Sequence, residues 1–168
     1  MINYKKSWCI KLTKKINSNR DEIWDLISSP KNLELFHPFC KSNNVIKWCG
    51  KGSQDEIVYL NEFKLIRNFI KWEEKKGYEL LIGRKGGNKS LVKWEITEKK
   101  NSFYLSITLY PHFMREKSKI ISLFPHYFVL KPNLKKYLNS VILGLDRYLS
   151  NKKPVPKNFF GKHKWFSK

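Results

Sequence analysis

The 168-residue sequence contains no alanine, and its three cysteines (Cys9, Cys40 and Cys49) show no CxxC spacing. An odd, unpatterned set reads as reduced thiols, which excludes a disulfide framework and makes the cytoplasm the expected location. The four histidines (His37, His112, His126 and His163) form neither HxxxH nor HExxH, so no metal and no cofactor is expected. No stretch approaches 18 uninterrupted apolar residues, which excludes a membrane-spanning helix at the level of sequence. The start, MINYKKSWCIKLTKK, has no apolar core and no small-residue cleavage site, and so does not read as a secretory signal. The stretch Gly83-Arg84-Lys85-Gly86-Gly87-Asn88-Lys89-Ser90 lacks the GxxxxGK[ST] spacing and joins two strands, so it reads as a hairpin turn. Neither Ser/His/Asp nor Cys/His spacing marks a nucleophile.

Acidic residues are also scarce, 14 against 34 basic ones, for a formal net charge of +20. The excess is almost all lysine, 29 against 5 arginines, alongside 14 asparagines and 15 isoleucines. That skew matches an AT-rich coding bias at tolerant surface sites. Dedicated nucleic-acid surfaces lean on arginine for bidentate contacts, so nucleic acid is disfavoured as a partner. The charge is uneven, however. Residues 1–84 carry 16 basic and 10 acidic side chains, residues 85–168 carry 18 and 4, and no acid follows Asp146. A basic end of this kind keeps peripheral contact with an anionic membrane among the expectations.

What is present is pattern. Trp8, Ile10 and Leu12 alternate with polar residues as in a strand. Ser18 or Asn19 can cap a short helix whose apolar face is Ile23, Trp24, Leu26 and Ile27, and Ser29-Pro30 ends it. Pro30 opens a second short helix with Leu33, Leu35 and Phe36 inward, and His37-Pro38-Phe39 stops it. From Asn44 to about Pro111 the period is two, broken by hairpin-like turns, which predicts six further antiparallel strands. The segment Ser118–Leu130 is apolar for a connection. From Pro132, the residues Leu134, Tyr137, Leu138, Val141, Ile142, Leu145, Tyr148 and Leu149 follow the spacing of one helix face. Nothing in the composition marks a linker, so residues 1–168 read as one domain with an aromatic, basic tail from about 151.

This order predicts an α+β fold: a seven-stranded, curved antiparallel sheet wrapped around a long C-terminal helix, with two short helices after the first strand. With "DEIWDLI" followed by "SSPKNLELFHP" and a long last helix, the chain resembles the START-like (SRPBCC, helix-grip) superfamily. That superfamily includes the birch pollen allergen and polyketide cyclase/dehydrase families. The resemblance implies an apolar cavity between sheet and helix, and it leaves open whether any reaction occurs there.

The apolar side of each strand chooses the cavity face. The candidate ligand-binding residues are Tyr59, Asn68, Ile70, Trp72, Leu80, Trp94, Ile107, Leu138, Val141, Ile142 and Leu145, with Arg67 and Lys71 expected on the outer face. Tyr59, Asn68, Trp72 and Trp94 would be the few polar handles of an apolar pocket. The leading expectation is a non-catalytic carrier or sensor of a hydrophobic small molecule (lipid, polyketide or isoprenoid-like). The alternative is a cyclase/dehydrase-type enzyme, with His37 at the cavity mouth as an acid or base.

Overall fold

The structure is a computed structural model that describes residues 9–112 and 124–168. It begins with β1 (Ile10–Ile16), α1 (Arg20–Ser28) and α2 (Leu33–Phe36). Six strands follow: β2 (Cys40–Lys47), β3 (Gln54–Tyr59), β4 (Lys64–Glu73), β5 (Gly77–Gly83), β6 (Lys89–Lys99) and β7 (Ser102–Tyr110). The long helix α3 (Phe124–Asn151) comes last. One seven-stranded sheet in the order β1-β7-β6-β5-β4-β3-β2 is antiparallel throughout. The two edge strands, β1 and β2, are joined by α1 and α2.

Local chemistry explains the crossover. Asn19 caps α1, its side-chain oxygen accepting from the Glu22 N–H at 2.8 Å. Ser29, ahead of Pro30, is extended and stops the helix. Pro38 likewise keeps His37 extended, at φ −87° and ψ 109°, and ends α2. The strands alternate as a half-buried sheet must, with Leu80, Trp94, Ile96, Leu105 and Ile107 buried beneath α3.

α3 is longer than the periodicity from Pro132 indicates. It begins at Phe124 and carries Pro132 inside it. Pro132 lacks the N–H that would bond to the carbonyl one turn earlier, a loss a 28-residue helix tolerates when its later turns are buried. Those turns supply Leu134, Leu138, Val141, Ile142, Leu145 and Leu149 to the core. Gly144 fixes the approach of α3 to α2, since a Cβ there would lie 2.1 Å from the Phe36 carbonyl oxygen. Residues 118–123 of the apolar connection, and Trp8 of the first predicted strand, lie outside the described residues.

The 152–168 stretch returns to the body of the fold. The Val155 N–H donates to the Leu35 carbonyl at 2.8 Å and the Asn158 N–H to the Pro38 carbonyl at 2.9 Å. No helix among the described residues is long and apolar enough to cross a membrane.

Candidate functional site: a cavity between the sheet and the last helix

Between the inner face of the sheet and α3 lies a cavity of about 540 Å³. Leu80, Val92, Trp94 and Ile107 form its floor, and Leu134, Leu138 and Val141 of α3 face them. Arg84, Gly87, Asn88 and His112 belong to the β5–β6 turn and the end of β7, and they line it at one end of the sheet. Beyond these, Tyr59, Arg67 and His37, all buried, and the half-buried Tyr137 are its main polar side chains.

Six of the eleven residues chosen from sequence line this cavity: Tyr59, Leu80, Trp94, Ile107, Leu138 and Val141. Trp72, Ile142 and Leu145 are placed in the surrounding core and do not line it. Trp72 instead joins an aromatic cluster, 5.4 Å from Trp24 and 5.6 Å from Tyr78 between ring centres.

Asn68 and Ile70 are corrected. Their face of β4 points outward: Ile70 is 41% exposed, and Asn68 accepts from the Gln54 side chain on the neighbouring strand at 2.7 Å. The inward face belongs to Leu65, Arg67 and Phe69, and Arg67, expected outside, is only 4% exposed. The register explains the reversal, because Arg67 stands directly opposite Asp55 of β3. Asp55 is itself fully buried, so the positive charge goes inward to its counter-ion. An irregularity between Phe69 and Lys71 then shifts the phase, which is how Phe69 and Trp72 both reach the core.

The Arg67–Asp55 pair is bidentate. Nε donates to Oδ1 at 2.7 Å, and Nη2 donates to Oδ2 and also reaches Asn43 Oδ1 at 3.5 Å. Burial alone would weaken the guanidinium's hold on its proton. The Asp55 carboxylate more than offsets this and raises the Arg67 pKa. The third nitrogen, Nη1, has no hydrogen-bond partner among the described residues.

His37, expected at the cavity mouth, is instead buried at its wall. Its Nδ1 accepts from the Phe39 N–H at 3.2 Å, so the ring proton sits on Nε2. Nε2 then donates to the Tyr137 hydroxyl at 2.9 Å, and the Tyr137 and Tyr59 hydroxyls are 3.0 Å apart. Burial, followed by the Arg67 charge, lowers the His37 pKa to about 3, so the imidazole is neutral across the physiological range. Burial raises both hydroxyls as well, Tyr59 to about 12. A ring this resistant to protonation is poorly suited to general acid–base work near neutrality.

The aromatic tail closes one side. Phe166 stacks on Tyr59 with ring centres 4.3 Å apart and lies 4.7 Å from Tyr137. Trp165 and Phe166 both line the cavity. His163, buried, bonds through Nε2 to the Asn133 carbonyl of α3 at 3.1 Å, and the Trp165 carbonyl accepts from Asn61 at 2.8 Å. The role of Trp165 and Phe166 as wall was not legible from the tail, which lacks any helical or strand period. Tyr137 was visible on the helix face, but only its neighbours in space show its polar role.

Set beside solved structures, this arrangement has many counterparts. TTHA0849 from Thermus thermophilus superposes with a TM-score of 0.66 at 11% identity, covering 86% of this chain and 99% of that one. The chain has the helix-grip, START-like fold. DynU16, from the dynemicin biosynthetic locus, is similar with a TM-score of 0.64 at 15% identity over 87% of this chain. That match spans 48% of DynU16, about half its length. Ara h 8.0201 is similar with a TM-score of 0.62 at 9% identity, over 85% and 97% of the two chains. At these identities the likeness is one of fold. No protein-family model and no curated protein sequence matches the chain.

Proposed function

We propose that the helix-grip cavity binds a hydrophobic small molecule, as a carrier or sensor that does no chemistry on it. The observation that supports this most is the cavity itself: about 540 Å³ of space faced by Leu80, Val92, Trp94, Ile107, Leu138 and Val141. A void of that size lined by apolar side chains lies in the range of small-molecule sites. Burial of apolar ligand surface would drive binding at about 25 cal/mol per Å². The neutral His37 favours binding over a cyclase or dehydrase reaction, which would need a group that exchanges protons near pH 7.

Native mass spectrometry of the purified chain tests this. A retained apolar molecule, or 1:1 uptake of an added apolar probe, is the expected result. A chain that carries nothing and takes up no apolar probe contradicts it.

Peripheral contact with an anionic membrane is a narrower second proposal. It rests on Phe159, 43% exposed beside Lys157 and Lys162, because Trp165 and Phe166 are already used in packing. Loss of anionic-liposome co-sedimentation on Phe159→Ser is expected, and unchanged recovery contradicts it.

A further inference from the structure

The polar end of the cavity holds hydrogen-bond donors that no acceptor among the described residues takes up. Asp55 engages Nε and Nη2 of Arg67 and leaves the Nη1 hydrogens without a partner among the described residues. The His37–Tyr137–Tyr59 chain shows the same surplus. Three donor protons, on Nε2 and the two hydroxyls, share two hydrogen bonds, so among the described residues one hydroxyl proton is left over whichever way the tyrosines point. Arg67, Tyr59 and Tyr137 all line the cavity, and Arg67 and Tyr59 are 4% and 2% exposed. Donors that face an apolar cavity without acceptors are costly to leave unmet, and such groups are ordinarily matched by something that accepts from them.

We propose, resting on the cavity being a site for an apolar molecule, that its ligand carries a neutral carbonyl oxygen, as in a ketone, ester or amide, received between Arg67 Nη1 and the spare Tyr59–Tyr137 hydroxyl proton. A carbonyl oxygen has two lone pairs, one for each donor. Among the described residues, the charges at this end disfavour the anionic counterpart. Arg67 is already balanced by Asp55, and His37 contributes no charge at neutral pH, so a carboxylate would bring an uncompensated negative charge into a buried site. Arg84 lines the cavity from the β5–β6 turn, where it is exposed to solvent and lies over the Phe63 ring at 4.9 Å, so its charge is screened by water. A plain hydrocarbon would fill the same volume and leave the donors unmet.

Three matched probes test this: 2-acetylnaphthalene, 2-isopropylnaphthalene and 2-naphthoate, titrated into the full chain while the Trp94 indole signal is followed by NMR. After correction for each probe's water-to-hexane transfer, the ketone should bind about 10-fold better than the hydrocarbon or more. The Tyr59→Phe/Tyr137→Phe double variant should narrow that ratio. A readout that needs no variant is the infrared carbonyl stretch of ¹³C-labelled 2-acetylnaphthalene, which should fall below its value in hexane when bound. Probes that bind with the carbonyl at its hexane frequency overturn the proposal and leave the cavity reading intact. Tighter binding of 2-naphthoate than of the ketone overturns the neutral-carbonyl class. If no probe moves Trp94, the cavity reading fails and this proposal fails with it.

Discussion

The Tyr137 hydroxyl on the last helix lies 2.9 Å from His37 Nε2, in the turn that leads into the second strand. That bond ties α3 to the crossover between the two sheet edges, and Tyr59, 3.0 Å further on, extends the tie to the sheet. The same three side chains form part of the cavity wall, so the stability of the fold and the chemistry of the site are coupled through them.

Acid should expose this coupling. The His37 pKa is depressed to about 3 in the native state against about 6.5 in the unfolded chain. The unfolded state therefore binds the extra proton, and stability held above about pH 6.5 is lost as pH falls toward 3. The slope from this one group is about 1.4 kcal/mol per pH unit. His163, also lowered by burial, acts in the same direction. Urea unfolding at pH 7 and pH 5 should show a smaller loss in His37→Gln than in the parent chain. Equal losses contradict the assignment.

Arg67→Met should cost about 3–5 kcal/mol, because it leaves the Asp55 carboxylate buried and unpaired. Replacing both partners by Leu or Met of similar volume should recover most of that loss. A double-mutant cycle by chemical denaturation measures it. A single Arg67→Met change that costs nothing would show that Asp55 is not held by this pair.

Much of the architecture was legible because period two and the three-four helix spacing survive without any tertiary information. Asn19 capping and the two proline stops fell where local chemistry put them. The face of β4 was not legible. Both of its faces carry apolar residues, and a lone arginine reads as a surface residue until its hairpin partner is seen to be Asp55. Counting the register back from the β3–β4 turn would have paired the two. Pro132 misled in a different way. Proline favours a first helical turn so strongly that an interior one is invisible in a single sequence. In the site, single-residue reasoning found apolar lining on the floor and helix, and missed the donors whose role depends on neighbours distant in sequence.

Gly144→Ala should destabilise the chain although alanine is the better helix former. The added Cβ would meet the Phe36 carbonyl oxygen at 2.1 Å, forcing α3 away from α2. A loss of about 1–3 kcal/mol in a thermal melt is expected, as for other overpacked contacts. A higher melting temperature would contradict the close approach.

Trp94→Ala should cost up to about 3–5 kcal/mol, toward the lower end because one side of the ring already faces open space. Apolar-probe affinity should fall with it, as the ring's contact area is lost. Unchanged probe affinity would remove Trp94 from the binding surface.

The most direct test of the cavity as a binding site is a titration of the full chain with 2-isopropylnaphthalene, observed through labelled tryptophan and leucine/valine/isoleucine side chains by NMR. Saturable 1:1 shifts confined to Trp94, Leu80, Ile107, Leu138 and Val141, and weakened in Trp94→Ala, are the expected result. Shifts absent from those five residues, or scattered over exposed positions such as Ile46 and Phe159, would mean that the space between sheet and helix is not a ligand site.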